Sequence, residues 1–98
     1  MKKDNIKKIG IDDRGRLCIT PEKENFALVY RSAMEVHWDD KNLFLYTPKP
    51  REWTYFDWYK QIISAALDCG CELTITQNTI LSNIPESLKK EILELRIH

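Results

Sequence analysis

"TPKPREWTYFDWYKQ" (residues 47–61) is where the pattern of the chain changes from extended to helical. Pro48 and Pro50 end an extended segment, because neither can donate to a strand ladder. Thr54 then stands at an N-cap position with Asp57 three residues on, a variant of the capping box. Trp53 precedes that cap and Trp58 takes the fourth helical position, which is the spacing of a hydrophobic staple. The helix is predicted to run from Tyr55 to about Cys69 and to stop at Gly70, a good residue for a left-handed C-terminal position. Tyr55, Phe56, Tyr59, Ile62, Ile63, Ala66 and Leu67 recur at spacings of three and four, so they predict one buried stripe. Trp53, Tyr55 and Trp58 cannot all join Phe56 and Tyr59 on that stripe. One or two of these rings are expected to stay partly exposed beside Arg51.

Everything before this stretch reads in period two. "IKKIGID" (6–12) predicts a first strand, "DDRG" (12–15) a turn with Gly15 free to take a positive φ, and "RLCIT" (16–20) the return strand. After the polar "PEKEN" (21–25), the segment "FALVYRSAMEVHW" (26–38) puts Phe26, Leu28, Tyr30, Met34, Val36 and Trp38 on one parity. It predicts a long strand, bent near Ser32–Ala33. "DDKN" (39–42) predicts a turn and "LFLYT" (43–47) a fourth strand, the four pairing as sequential antiparallel neighbours. Beyond the helix, "CELTITQ" (71–77) predicts a fifth strand, "NTILSN" (78–83) a loop and "IPESLKKEILEL" (84–95) a short amphipathic helix. The order ββββαβα predicts the α+β class: a mostly antiparallel sheet of about five strands, with two helices packed on one face, as a single domain over 1–98.

Bulk composition narrows the function classes. The chain has 98 residues, 43% of them hydrophobic and 31% charged, with 15 cationic and 15 acidic side chains. That is the composition of a soluble globular protein. Balanced charge argues against nucleic acid as a partner, since phosphate neutralisation needs clustered cations. The basic "MKKDNIKK" reads as a terminal tail guarding the first strand. No apolar run approaches the length of a membrane span, so no membrane partner is expected. Three cysteines, Cys18, Cys69 and Cys71, with no secretory leader, point to the cytoplasm.

Candidate chemistry is sparse. A Cys–His pair would need His37 beside a thiol, and sequence alone cannot place them together. "CGC" (69–71) lacks the second ligand pair of a zinc site, so no metal is expected. "HWDD" (37–40) reads as a turn rather than a ligand cluster. Gly10, Gly15 and Gly70 are isolated, so no phosphate loop and no cofactor is expected. The expectation is a protein that is not an enzyme.

The strand "ENFALVYRSAMEVHWDD" and the helix approach "PKPREWTYFDWYKQI" resemble, in architecture, small bacterial immunity proteins of polymorphic toxin systems. They also resemble the orphan proteins carried on integron gene cassettes. The first resemblance implies binding to a cognate protein toxin. Surplus aromatics and mixed charge direct attention to Glu35, Asp39, Asp40, Arg51, Trp53 and Trp58 as the partner-binding residues. The alternative is a small-ligand or enzymatic pocket between sheet and helix. Tyr30, Trp38, Tyr46, Trp53 and Trp58 would line it, with Arg31 or His37 supplying polarity. Open sheet edges add a homodimer as the expected assembly, with the Cys71 strand central or at its edge.

Overall fold

The spacing of Ile6 and Ile9 sets the frame of the sheet. Both isoleucines are fully buried, yet they lie three residues apart, an odd interval that would put them on opposite faces of a regular strand. A register shift between Ile6 and Lys8 absorbs the extra residue. Lys7 and Lys8 therefore both stay exposed while Ile6 and Ile9 both reach the core. The computed structural model describes residues 2–27, 29 and 35–97.

The elements are β1 (Lys2–Ile11), β2 (Leu17–Pro21), β3 (His37–Asp39), β4 (Phe44–Tyr46), α1 (Tyr55–Asp68), β5 (Cys71–Thr74), β6 (Ile80–Ser82) and α2 (Glu86–Ile97). They make an α+β fold on one mixed sheet. Its order is β3-β4-β2-β1-β5, with β6 also pairing β1. The basic N-terminal run is not a tail. Residues 2–8 belong to β1, an interior strand paired on both sides. β2 lies antiparallel along β1, while β5 and β6 pair with it in parallel, β5 with Lys2–Asn5 and β6 with Lys8–Gly10.

The expected strand over 26–38 is replaced at its N-terminal end and is kept only at its C-terminal end, His37–Trp38. Phe26 and Val29 form a turn, with Val29 N–H donating to the Phe26 carbonyl at 3.0 Å, and both side chains are buried. Turn geometry sends residues three apart the same way, so the alternation of this segment does not signal a strand there. Strand pairing begins only at His37; Leu28, Tyr30, Arg31, Ser32, Ala33 and Met34 lie outside the described residues. Since the connection between β2 and β3 carries core side chains instead of a hairpin turn, β2 pairs with β4, and β3 adds on the far side of β4. The expected order of sequential neighbours is corrected to that extent. β5 is shorter than predicted, and Ile80–Ser82, expected as loop, is a sixth strand.

A buried carboxylate ties this connection down. Asp4 accepts the backbone N–H groups of Asn5, Lys23 and Glu24, each at 2.9 Å, although it is only 8% exposed. Three charge-assisted bonds offset its burial and hold the exit from β2 against the start of β1.

The helix that decided the sequence reading forms as expected. Asp57 N–H donates to the Thr54 hydroxyl at 3.1 Å, and the Asp57 carboxylate accepts from Thr54 N–H at 3.0 Å. Hydrogen bonds from the Thr54 backbone and then its hydroxyl hold the Asp57 carboxyl below its usual pKa. Gly70, at φ 91°, ends the helix. The buried stripe is Trp58, Tyr59, Ile62, Ala65 and Ala66. Leu67 is 43% exposed, a correction to the stripe, because it lies about 100° beyond Ala66 around the helix. Replacing Thr54 with Ala should cost about 0.5–2 kcal/mol in a urea-unfolding series. A loss well under that range would mean that the box contributes little.

The helices share one core with the inner sheet face: Leu88 and Ile92 of α2 cluster with Ile62 of α1 and with Ile9, Leu17, Ile19 and Leu45. The other sheet face carries Lys8, Cys18, His37 and Tyr46. Among the described residues no helix is long and apolar enough to cross a membrane.

Candidate functional site

α1 begins at one wall of a groove. Its volume is about 880 Å³, and Glu35, Pro48, Lys49, Pro50, Arg51, Glu52, Trp53, Trp58 and Gln61 line it. Local sequence explains the shape. The two prolines carry the chain away from β4 without continuing the ladder, and the capping box then turns it into the helix. The Trp53 and Trp58 rings pack with centroids 4.7 Å apart at an interplanar angle of 42°. This is the predicted staple, and it separates the two indoles by role. Trp58 is 9% exposed and belongs to the core, whereas Trp53 is 46% exposed and presents its ring to solvent. The Trp58 indole nitrogen is buried with no partner among the described residues. Two cations and two carboxylates lie among the lining residues, so the groove has no dominant sign.

Four of the six residues singled out from sequence therefore meet here: Glu35, Arg51, Trp53 and Trp58. Asp39 and Asp40 lie at the opposite end of the β3–β4 hairpin. The Asp39 carboxylate accepts from Lys41 N–H and Asn42 N–H at 3.0 Å and from the Asn42 amide at 3.1 Å. Those bonds, Asn42 backbone first, hold it below the usual carboxylate range. Its observed work is to close the turn. Sequence reasoning missed Pro48, Lys49, Pro50, Glu52 and Gln61. The quoted stretch contains all five, but treating the prolines only as strand breakers hid their role as a wall.

The described rings of the expected aromatic cage do not converge on one pocket. Trp38 pairs with Leu45 on the core face and packs edge-on against Phe26, centroids 5.9 Å apart. Tyr46 and His37 lie on the outer sheet face, and Tyr30 and Arg31 fall outside the described residues.

On that outer face, Tyr46 stands between Cys18 and His37. It registers with Cys18 on one side and with His37 on the other, and the His37 ring is 5.3 Å away. The Cys18 and His37 strands are thus two interstrand spacings apart, about 9.5 Å. Arg16 lies 4.6 Å over the Tyr46 ring and donates to Asp12 at 2.7 Å. Burial raises the Asp12 pKa, but hydrogen bonds from the Arg16 backbone and guanidinium and the Arg14 backbone outweigh it, leaving the carboxyl below its ordinary value. Burial first, and then the Asp12 charge, push the Cys18 thiol up to about 11. A protonated thiol is a poor nucleophile at neutral pH.

A raised folded-state pKa means that folding favours the protonated thiol. Its contribution to stability is complete below the unfolded-state pKa, about 9, and is lost as pH rises through about 11. Alkylation at Cys18, followed by mass spectrometry, should keep accelerating up to about pH 11. A plateau near pH 9 would show that the thiol is not shielded. Among the described residues, no group of three or more His, Cys, Asp or Glu side chains could hold a metal.

The comparison that decides kinship covers both the groove and the hairpin. The family model for the integron cassette protein Hfx_Cass5 matches residues 4–79. The chain belongs to this family of integron cassette proteins. A solved structure of the integron cassette protein Hfx_Cass5, from the mobile metagenome of the North West Arm sewage outfall, is 38% identical. The match covers 100% of this chain and 99% of that one, with a TM-score of 0.50. No curated protein matches. The integron-cassette half of the architectural resemblance thus becomes family membership. Membership in this family leaves the chemistry to be argued from the groove.

Proposed function

We infer that this member of the Hfx_Cass5 family is a cytoplasmic binding module that docks a second protein on the Trp53 groove and catalyses no reaction. One observation carries the reading: a half-exposed indole, held in place by a buried one, lies among charges of both signs. A rigid Trp with Arg nearby and an apolar base is the composition of an interface hot spot. Mixed charge suits a protein surface better than a polyanion. The partner presents an apolar side chain to Trp53 and opposite charges to Glu35 and Arg51. The resemblance to immunity proteins makes a cognate bacterial toxin the partner class. The test is calorimetric titration against the product of the adjacent gene, with co-expression to measure protection. Binding that Trp53→Ala weakens at least roughly thirtyfold supports the reading. Binding that is indifferent to Trp53, Glu35 and Arg51 overturns it.

A second reading rests on size, since about 880 Å³ falls within the range of small-molecule sites. A metabolite that quenches Trp53 fluorescence and raises the melting temperature would favour it.

A further inference from the structure

Among the described residues β5 has a ladder on one side only, the parallel pairing with β1. One bond sets the phase of that ladder. Lys2 N–H donates to the Gly70 carbonyl at 3.0 Å, with Lys2 in register with Cys71. In a parallel ladder the carbonyl of Lys2 then accepts from Glu72, and the pattern repeats every second residue. Gly70, Glu72 and Thr74 turn their backbone groups toward β1, while Cys71 and Leu73 turn theirs to the open side. No proline, lysine or bulge interrupts Cys71–Thr74, and its one charged side chain is the exposed Glu72.

The occupant that fits this edge is a second copy of the same strand. Paired residues must share a face of the sheet, and of the antiparallel two-fold registers that satisfy this, only those centred on Glu72 and Leu73 overlap most of the four-residue strand. If Glu72 lies on the axis, two like charges meet in a closely spaced pair that is not hydrogen-bonded, which is unfavourable. If Leu73 lies on the axis, the two Leu73 residues exchange both backbone bonds. Each Glu72 then faces a Thr74, and Cys71 faces Ile75. Cys71, Leu73 and Ile75 are all buried, so the apolar line under the sheet continues into the second copy.

We propose that the protein forms a two-fold homodimer by antiparallel β5–β5 pairing centred on Leu73, joining two sheets into one. The groove lies apart from this edge, so the dimer and partner binding stand or fall separately.

Sedimentation velocity over a concentration series gives the dimer Kd. Thr74→Lys puts an ammonium opposite Glu72 twice per dimer and should tighten the Kd by roughly 2- to 30-fold. Thr74→Glu should weaken it by a similar factor. Thr74 is exposed, so circular dichroism should show both variants folded. Register is read by cross-linking in a Cys69→Ser background. Copies carrying Glu72→Cys and copies carrying Thr74→Cys should form a disulfide dimer when mixed. Neither should do so alone, because same-position residues then lie on a diagonal beyond disulfide reach, roughly 7–8 Å. A monomer at every concentration, a dimer indifferent to Thr74, or cross-linking of the Glu72→Cys protein by itself would each overturn the proposal.

Discussion

Trp58→Ala should lower the unfolding free energy by about 3–5 kcal/mol, the usual cost of removing a buried aromatic side chain. Trp53→Ala should lower it by only about 0.5–1.5 kcal/mol, the worth of a ring contact on a half-exposed side chain. The two indoles touch, at 4.7 Å between centroids, so their different fates follow from burial rather than from contact. Partner binding should show the opposite order once correctly folded protein is compared. Trp53→Ala should then cost at least about 2 kcal/mol in affinity, while a conservative Trp58→Phe should cost little. Urea unfolding and calorimetry measure the two quantities separately. Equal stability losses for both alanine variants would show that Trp53 is as much a core residue as Trp58.

Asp4→Ala should cost about 2–4 kcal/mol, because the backbone N–H groups of Lys23 and Glu24 both lose their acceptor, the same carboxylate oxygen, in a partly buried place. Asp4→Asn keeps one oxygen acceptor and should recover roughly half of that loss. An ion pair would not distinguish these variants in this way: Lys2, whose ammonium reaches Glu24 at 3.8 Å, is largely exposed and contributes little. If Asp4→Asn is as damaging as Asp4→Ala, charge rather than hydrogen-bond geometry holds the connection. Hydrogen exchange at Lys23 and Glu24 would locate the opening.

The parts of the fold legible in the sequence are those fixed by neighbours in the chain. Thr54, Asp57, Trp53 and Trp58 specify the start of α1 within six positions, and Gly70 specifies its end. The hairpin around Gly15 is equally local. β6 was illegible because Ile80, Leu81 and Ser82 are too few to show a period; they become a strand only where Lys8–Gly10 of β1 offers a parallel ladder. Residues 26–29 misled because burial of Phe26 and Val29 arises from a turn, which alternation cannot represent. The groove was half legible. Its aromatic wall is contiguous in sequence, but Glu35 joins it from the approach to β3, and only strand pairing brings those two segments together.

The position of β1 has a consequence during synthesis on the ribosome. Its first half pairs with residues from Cys71 and its second half with residues from Ile80, roughly seventy positions downstream. The nascent chain can close the β1–β2 hairpin early, yet the other flank of β1 is not fully paired until residue 82 has emerged. Such distant contacts make slow folders, since loop closure precedes any gain from pairing. A chain stalled before Ile80 would display half of β1 as an open template, so the two late strands act as a seal against aggregation of unfinished copies.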